Sequence, residues 1–349
     1  MRLPAFLVPF LGLWGVVTQA AVQCLNRSQA TKGRPEHART LGAFAVTAHL
    51  TPAGAGRRPP ALRRCWLCLP GADAPALAAA GASGADVLIQ ELEDFTPPEL
   101  RPQARALAAE LYGRWRAAGR IAAVRINPLE TEGYTDLAAV MRGRPDVVLM
   151  SKVADPQQVA ALDREVSRLE QALAIPAGST ELVPNVESAL GILHAFAIAK
   201  ASPRITGVMG STEDMAADLG APRSKAGIEL AYARQRLHFE CTAANVLTVD
   251  CPYTFADLEG CASDARYARQ LGYVAKSAVN AAHVATINGV LTPSHAEVEE
   301  ASALVAAFEV ARAAGKERGR LGDLMIEVPT YVSAKRLLAR ARAFGVEGA

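Results

Sequence analysis

The sequence predicts an α/β fold, a (β/α)8 TIM barrel, because two kinds of segment alternate along most of the chain. Short apolar or β-branched runs, most of them ending in polar residues, are separated by longer Ala/Leu/Arg-rich stretches of helical periodicity. Eight runs occur, and their nearly continuous apolar character is typical of parallel strands that helices cover from outside. In chain order the runs are CWLCLPG (65–71), DVLIQELED (86–94), IAAVRINP (121–128), DVVLMSK (146–152), ELVPNVE (181–187), ITGVMGSTED (205–214), NVLTVDCP (245–252) and YVAKSAV (273–279).

The stretches between the runs have the pattern of amphipathic helices. Three clear examples are ELRPQARALAAELYGRWRAAG after the second run, DPQQVAALDREVSRLEQALA after the fourth and TFADLEGCASDARYARQLG after the seventh. An open, doubly wound sheet is the competing architecture, but no GxGxxG follows the first run. The barrel is therefore the favoured interpretation.

Composition excludes several classes of function. The 349 residues include 37 basic and 35 acidic side chains, a formal net charge of +2, so no basic surface for nucleic acid is indicated. Only 5% are aromatic, which argues against base-stacking surfaces. Six scattered cysteines are too few for a disulfide framework and fit a reducing, cytoplasmic location, with no membrane partner expected.

Both ends of the chain are predicted to lie outside the barrel. The opening MRLPAFLVPFLGLWGVVTQAA has the outline of a secretory signal, and TPAGAGRRPP has a linker composition. We interpret 1–61 as a signal-like or disordered extension with a linker, 62–314 as the barrel, and 315–349 as a loop and helical arm. The arm contains the amphipathic YVSAKRLLARARAFG, which we expect to pack on a neighbouring subunit.

Polar residues at the ends of the predicted strands indicate a functional site. In a barrel these ends meet at one rim, where active sites lie. A single polar residue there has an ordinary explanation as a helix cap, but a converging set is harder to explain that way. The set comprises Glu91, Glu93, Asp94, Arg125, Asn127, Lys152, Glu187, Glu213, Asp214, Asp250 and Lys276.

The residue types in this set favour a hard cation and an anionic substrate. Carboxylates without nearby Cys or His prefer Mg²⁺ to Zn²⁺, and Glu187 and Asp214 are the predicted metal ligands. Arg125 offers a planar fork for a substrate carboxylate or carbonyl. Lys152 is assigned to substrate binding. Together they predict a site for a 2-oxo or 2-hydroxy acid.

Several motifs, in their order along the chain, resemble the citrate lyase β-subunit-like family. These are LCLPG, LEDF, VRINPL, VES, STEDMAADLG, ELAYARQRL, VDCPYTFADLEG and MIEVPTYVSAKRLL. That family belongs with the malyl-CoA and citramalyl-CoA lyases among the phosphoenolpyruvate- and pyruvate-binding barrels. The resemblance extends over roughly 62–340 and implies a Mg²⁺-dependent lyase that cleaves or forms a carbon–carbon bond in a 3-hydroxyacyl-CoA. Glu187 and Asp214 match the family's metal ligands.

The resemblance also implies roles for further residues. Arg125 would contact the substrate's oxygens and stabilise an acetyl-CoA enolate, the charge that develops as the bond breaks. Glu93 and Asp94 match retained acids of the family's LDLED motif and are predicted catalytic residues. Asn127 and Asp250 are predicted to bind substrate. Barrels of this kind usually form homo-oligomers, so we expect a trimer or hexamer.

Three positions depart from the family's pattern. Glu91 replaces a shorter Asp, Asn280 stands where His is usual, and Glu327 stands where a neighbouring subunit's Asp serves as acid or base. Glu327 is therefore also a predicted catalytic residue. Two alternative functions stay open: a class II pyruvate aldolase acting on free acids, and a barrel that binds ligand without turnover.

Overall fold

A computed structural model describes residues 56–346, in which eight parallel strands form a closed barrel. Each strand pairs with the next, and β8 pairs with β1 through Cys65 and Lys276, which closes the ring. The predicted barrel and all eight predicted strands are confirmed. The strands are β1 (Cys65–Pro70), β2 (Val87–Glu91), β3 (Ile121–Ile126), β4 (Val147–Met150), β5 (Glu181–Val186), β6 (Gly207–Gly210), β7 (Leu247–Asp250) and β8 (Ala275–Ala278).

Helices follow each strand and cover the barrel from outside. Each of the three stretches predicted to be amphipathic contains a helix. In chain order the helices are α1 (Ala74–Ala79), α2 (Arg101–Ala117), α3 (Tyr134–Val140), α4 (Pro156–Ala172), α5 (Ala189–Leu193), α6 (Ala195–Ala199), α7 (Glu213–Asp218), α8 (Ala231–Ala244), α9 (Leu258–Leu271), α10 (Val284–Leu291) and α11 (His295–Ala313).

Strand alternation divides the interior into two apolar cores. Successive side chains of a strand point to opposite faces. Residues such as Trp66, Ile89 and Leu149 therefore fill the inside of the barrel, while their neighbours pack outward against the helices. Cys65 belongs to the outer core and Cys68 to the inner one, so the two thiols of the CxxC sequence lie on opposite faces.

A hairpin and a last helix follow α11. The hairpin consists of β9 (Gly319–Leu321) and β10 (Leu324–Ile326), and the helix is α12 (Val328–Ala343). The rings of Phe308 on α11 and Tyr331 on α12 stack with centroids 4.7 Å apart, so the predicted arm packs on its own chain. Arg340 of α12 also donates hydrogen bonds to the carbonyl oxygens of Ala61, Val274 and Leu291.

The signal-like stretch and half of the predicted linker fall within 1–55, outside the described residues. Within 56–346, no helix combines the length and the apolar character needed to cross a lipid bilayer.

Candidate active site

Arg125 lies at the centre of the charged cluster that the strand ends bring together. It stands on β3 two residues after Ala123, an inner-core residue, so its side chain also points into the barrel. Its Nε lies 2.9 Å from Glu91 Oε1, Nη2 lies 3.4 Å from Glu93 Oε2, and Nη1 lies 3.5 Å from Glu187 Oε1. Burial lowers the pKa of Arg125, but the surrounding carboxylates outweigh it and raise the pKa overall.

Glu91 fixes both Arg125 and the loop that follows β2. Besides the Arg125 contact, its carboxylate accepts hydrogen bonds from the backbone N–H groups of Glu93, at 2.7 Å, and Phe95, at 2.6 Å. The side chain is fully buried. The centre of the Phe95 ring lies 5.6 Å from the guanidinium carbon of Arg125, so the same loop also contacts the charged group of Arg125. Glu91 thus orients other groups and has no free face for substrate.

Glu93 and Lys152 form an ion pair at the rim. Burial is the main cause of a raised Glu93 pKa, although Lys152 and Arg125 oppose that rise. Lys152 follows β4 with a φ of 56°, a left-handed conformation that costs energy in a residue other than glycine. Its Nζ also lies 3.4 Å from Asp94, which is half exposed. A strained residue held at a rim is typical of functional sites.

Glu187 follows β5 and is almost completely buried. Burial raises its pKa to about 8; Arg125 opposes that rise, and the negative charges of Asp214 and Glu93 add to it. The side-chain amide of Asn185, two residues earlier, donates a hydrogen bond to Glu187 Oε1. The carboxyl group is therefore held between two donors on one oxygen.

Asp214, in the first turn of α7, is near enough for its charge to raise the pKa of Glu187. Its Oδ2 accepts a hydrogen bond of 3.0 Å from Ser211 Oγ. Within the charged cluster, three buried oxygens make no hydrogen bond: Glu93 Oε2, Asn185 Oδ1 and Glu187 Oε2. Such orphaned acceptors suit a hard cation and its water, which require oxygen ligands.

The number of carboxylates also suits Mg²⁺. Within 56–346, no group of three or more His, Cys, Asp or Glu side chains is arranged to hold a metal ion. Mg²⁺ usually takes only one or two protein carboxylates and keeps its remaining positions for water and substrate oxygens. The Glu187 and Asp214 pair therefore has the composition of a Mg²⁺ site.

The expected substrate contact of Asp250 is wrong. Val249 is part of the inner core, so the next residue on β7 points outward, between the strands and the helices. There the Asp250 carboxylate binds Arg234 on α8, at 2.9 and 2.7 Å, and Lys276 on β8, at 2.6 Å. Lys276 also pairs with Asp264 on α9. These four buried charges neutralise one another and join two strands to two helices on the outer face of the barrel wall.

Asn127 has a structural role, and its amide hydrogens are not available for the predicted contact with substrate. Its amide nitrogen donates to Leu92 O, at 2.9 Å, and to Asp136 Oδ2, at 2.8 Å. Both amide hydrogens are used, so the residue joins the loops after β2 and β3 and has no donor left for a substrate. Its side chain is buried.

Glu327 forms no ion pair with the charged cluster among the described residues of its own chain. It immediately precedes α12, is half exposed and pairs with Arg318, with Glu327 Oε1 3.0 Å from the guanidinium Nε. Among the described residues, its only ion pair is with this arginine of the hairpin region. The structure therefore leaves Glu327 available to a second subunit and gives it no role in its own barrel.

Asn185 is the site residue that the sequence analysis missed. Its position contains a usable signal, because Val183, Asn185 and Glu187 recur at every second residue and therefore share one face of β5. Once Glu187 is assigned to the site, the same alternation predicts an amide beside it.

Comparisons with known proteins identify the family of this chain. The family model described as HpcH/HpaI aldolase/citrate lyase matches residues 64–281. The chain is 33% identical over 284 residues to the citrate lyase subunit beta of Haemophilus influenzae, covering 81% of this chain and 98% of that protein. It is 33% identical over 297 residues to the L-malyl-CoA/beta-methylmalyl-CoA lyase of Rhodobacter capsulatus, covering 76% and 93%.

A solved structure is similar as well. It is the citrate lyase beta subunit of M. tuberculosis complexed with oxaloacetate and magnesium, with a TM-score of 0.55 and 25% sequence identity. The match covers 66% of this chain and 99% of that one.

Proposed function

The chain belongs to the HpcH/HpaI aldolase/citrate lyase family, and on this premise we propose that it is a Mg²⁺-dependent carbon–carbon lyase acting on a 3-hydroxyacyl-CoA thioester. The relatives support the coarser statement, a carbon–carbon lyase that acts on CoA thioesters. The cation, the enolate and a substrate of the citryl-, malyl- or citramalyl-CoA type are our proposal. Magnesium in the similar M. tuberculosis structure supports the choice of cation.

One observation carries the proposal: a buried guanidinium surrounded by carboxylates that retain oxygens without hydrogen bonds. Arg125 contacts Glu187 through Oε1 and Glu93 through Oε2, and two buried carboxylate oxygens here lack a hydrogen bond: Glu187 Oε2, and Glu93 Oε2, which lies 3.4 Å from Arg125 Nη2. A substrate that brings both an anionic oxygen for the arginine and a cation for the carboxylates would satisfy all of these groups. A hydroxy acid chelating Mg²⁺ has that chemistry.

The proposed reaction needs three contributions from the chain. Bound between Glu187 and Asp214, Mg²⁺ would acidify the substrate's hydroxyl group and orient the bond to be cut. A base, for which we propose Glu93, takes the hydroxyl proton, and the carbon–carbon bond breaks to leave a carbonyl on the acid fragment. The released electron pair enters the thioester as an enolate, which Arg125 stabilises as preorganised positive charge. Protonation of the enolate carbon then gives acetyl-CoA.

Lys152 and Asp94 are proposed to assist in substrate positioning and proton transfer. Lys152, paired with Glu93 and near Asp94, would contact a substrate carboxylate at the rim. Asp94 is half exposed, so it is a candidate for passing the proton taken by Glu93 to solvent.

We further propose a homo-oligomer, a trimer or hexamer, in which Glu327 reaches the rim of a neighbouring barrel. Its exposure, and its ion pair with Arg318 outside the cluster, support this arrangement. Co-expressing Glu327→Gln and Asp214→Ala chains tests it, because mixed oligomers regain some intact sites only if each site takes residues from two chains. Activity no higher than that of the separate variants contradicts it. Cytoplasmic location remains part of the proposal, consistent with the free thiols of Cys65, Cys68, Cys241, Cys251 and Cys261.

The deciding experiment measures acetyl-CoA release from citryl-, malyl- and citramalyl-CoA with and without Mg²⁺. We expect release that requires the cation, together with an equal amount of the matching 2-oxo acid. Cleavage of free hydroxy-oxo acids but not of the thioesters would favour a pyruvate aldolase. Tight thioester binding without product would favour the non-catalytic barrel. Free CoA released without a 2-oxo acid would indicate thioester hydrolysis and would contradict the lyase assignment.

A further inference from the structure

Asn185 places an amide group inside the barrel, where apolar side chains are the rule. The residue is 1% exposed and shares its face of β5 with Val183 of the inner core. Burying an amide costs free energy unless hydrogen bonds replace the lost water. The position of this side chain therefore needs an explanation beyond packing.

Only one half of the amide is satisfied. The nitrogen donates to Glu187 Oε1, the oxygen that also faces Arg125 Nη1 at 3.5 Å. Because an amide nitrogen donates and a carboxylate oxygen accepts, this contact fixes which way the amide points. The carbonyl Oδ1 of Asn185 and the other carboxylate oxygen, Glu187 Oε2, are buried without a donor.

Two adjacent orphaned acceptors indicate a missing donor or cation. A buried acceptor without a partner costs about 1–3 kcal/mol, and such atoms in a native protein call for a specific reason. Glu93 Oε2 also lacks a hydrogen bond, although Arg125 Nη2 lies 3.4 Å from it and partly compensates its charge. A cation carrying ordered water or a substrate hydroxyl would supply what these oxygens lack.

We propose that Asn185 is a positioning residue of the cation site. Its nitrogen holds Glu187 Oε1 against Arg125, which leaves Glu187 Oε2 free for the cation. Its carbonyl oxygen accepts a hydrogen bond from a water or hydroxyl group held beside that cation. This inference rests on the proposed Mg²⁺ dependence and adds a residue to it.

Other residue types could not perform both tasks. Leucine has a similar size but neither donates nor accepts. Aspartate would place a second negative charge against Glu187. Serine could donate but is too short to keep the amide's two contacts, so Asn185→Leu and Asn185→Ser test the role with different volumes.

The experiment is calorimetric titration of the metal-free protein with MgCl₂, without substrate. Losing a partner that orients a metal ligand typically weakens metal affinity about 10- to 100-fold, so we expect a loss in that range for Asn185→Leu and a smaller loss for Asn185→Ser. Circular dichroism and thermal unfolding of each variant establish that the titrated protein is folded.

Asn288→Leu is the matched control. Asn288 on α10 likewise donates from its nitrogen to a backbone oxygen, Gly84 O at 2.9 Å, and likewise has an unpartnered buried Oδ1, but it lies outside the cluster. We expect its substitution to change stability and to leave Mg²⁺ affinity unchanged. Equal loss of affinity in this control would mean that general destabilisation, not positioning, explains the effect.

The outcomes separate this inference from the function on which it rests. If the wild-type protein binds Mg²⁺ and both folded Asn185 variants bind it equally well, the role of Asn185 is wrong and the cation site stands. If the wild-type protein binds no Mg²⁺, the metal dependence of the proposed function itself fails.

Discussion

Glu91→Gln tests the arrangement that orients Arg125. The carboxylate accepts three hydrogen bonds, from Arg125 Nε at 2.9 Å and from the backbone N–H groups of Glu93 and Phe95 at 2.7 and 2.6 Å. Hydrogen bonds to charged groups contribute about 1.5–3 kcal/mol and neutral ones about 0.5–1.5 kcal/mol, so neutralising the acceptor costs about 1 kcal/mol for each contact. We therefore expect a loss of about 3 kcal/mol in the free energy of unfolding.

The same substitution should reduce activity. The amide nitrogen of glutamine would face a donor, which pushes either Arg125 or the Phe95 loop out of place. A displacement of about 1 Å in a catalytic group can lower the rate about a hundredfold, and kcat/KM for acetyl-CoA release should fall by a factor of that order.

Urea unfolding and steady-state kinetics on the same preparations provide the assay. Glu110→Gln is the control, because Glu110 is exposed and, within 56–346, forms its only ion pair with Arg114 one helical turn away. Its free energy of unfolding should stay within about 0.5 kcal/mol of wild type. If Glu91→Gln were equally mild in stability and unchanged in kcat/KM, the carboxylate would not orient Arg125 and our reading of this residue would be refuted.

Three further predictions concern the cation and acid stability. Asp214→Ala should abolish Mg²⁺-dependent turnover and leave the circular dichroism spectrum unchanged, whereas Asp218→Ala on the same helix should keep its turnover; an active Asp214 variant would contradict the metal assignment. Burial raises the pKa of Glu187 to about 8, so in the metal-free protein this group must lose a proton to bind a cation. Mg²⁺ affinity should therefore rise with pH up to about 8, and calorimetry should detect the released proton. An affinity that does not change with pH would contradict this. Burial raises the pKa of Glu170, but hydrogen bonds from Arg204 and two backbone N–H groups outweigh burial and lower this pKa overall. The contribution of Glu170 to stability is therefore full above its ordinary pKa and is lost as pH falls through its lowered pKa. Urea unfolding between about pH 3 and 6 should therefore show a steeper loss for wild type than for Glu170→Gln, and parallel curves would refute the assignment.

The fold could be predicted from sequence because the chain alternates between two hydrophobic patterns, one typical of buried strands and one typical of amphipathic helices. A parallel strand covered on both faces needs an apolar run, and a covering helix needs an apolar stripe, so the alternation identified the barrel and its eight strands. The closing pair β1–β8 follows from the strand count, since an eight-stranded parallel sheet with helices outside closes on itself.

The site was only partly predictable because the end of a strand does not state which way its side chains point. Arg125 and Glu187 face the inside, whereas Asp250 and Lys276, at equally polar strand positions, face the helices. That choice depends on the register of each strand in the closed barrel, where a shift of one residue exchanges the two faces. The sequence contains no local mark of it.

A second limit concerns residues that bind other residues. Asn127 and Glu91 have the composition expected of substrate contacts, yet their hydrogen bonds go to the loops around them. Only the coordinates distinguish a group that is already satisfied from one that still lacks a partner.

The hydrogen bonds of Arg340 have a consequence for biosynthesis. This arginine joins the carbonyl oxygen of Ala61, ahead of the first strand, to α12, 279 residues later in sequence. While a ribosome is still extending the chain, β1 lacks its second neighbour, and an unpaired strand edge is open to pairing with other nascent chains. The barrel can close only when β8 has been made, and the contacts of α12 form later still, so a nascent chain of this protein depends on protection from aggregation at least until β8 has left the ribosome.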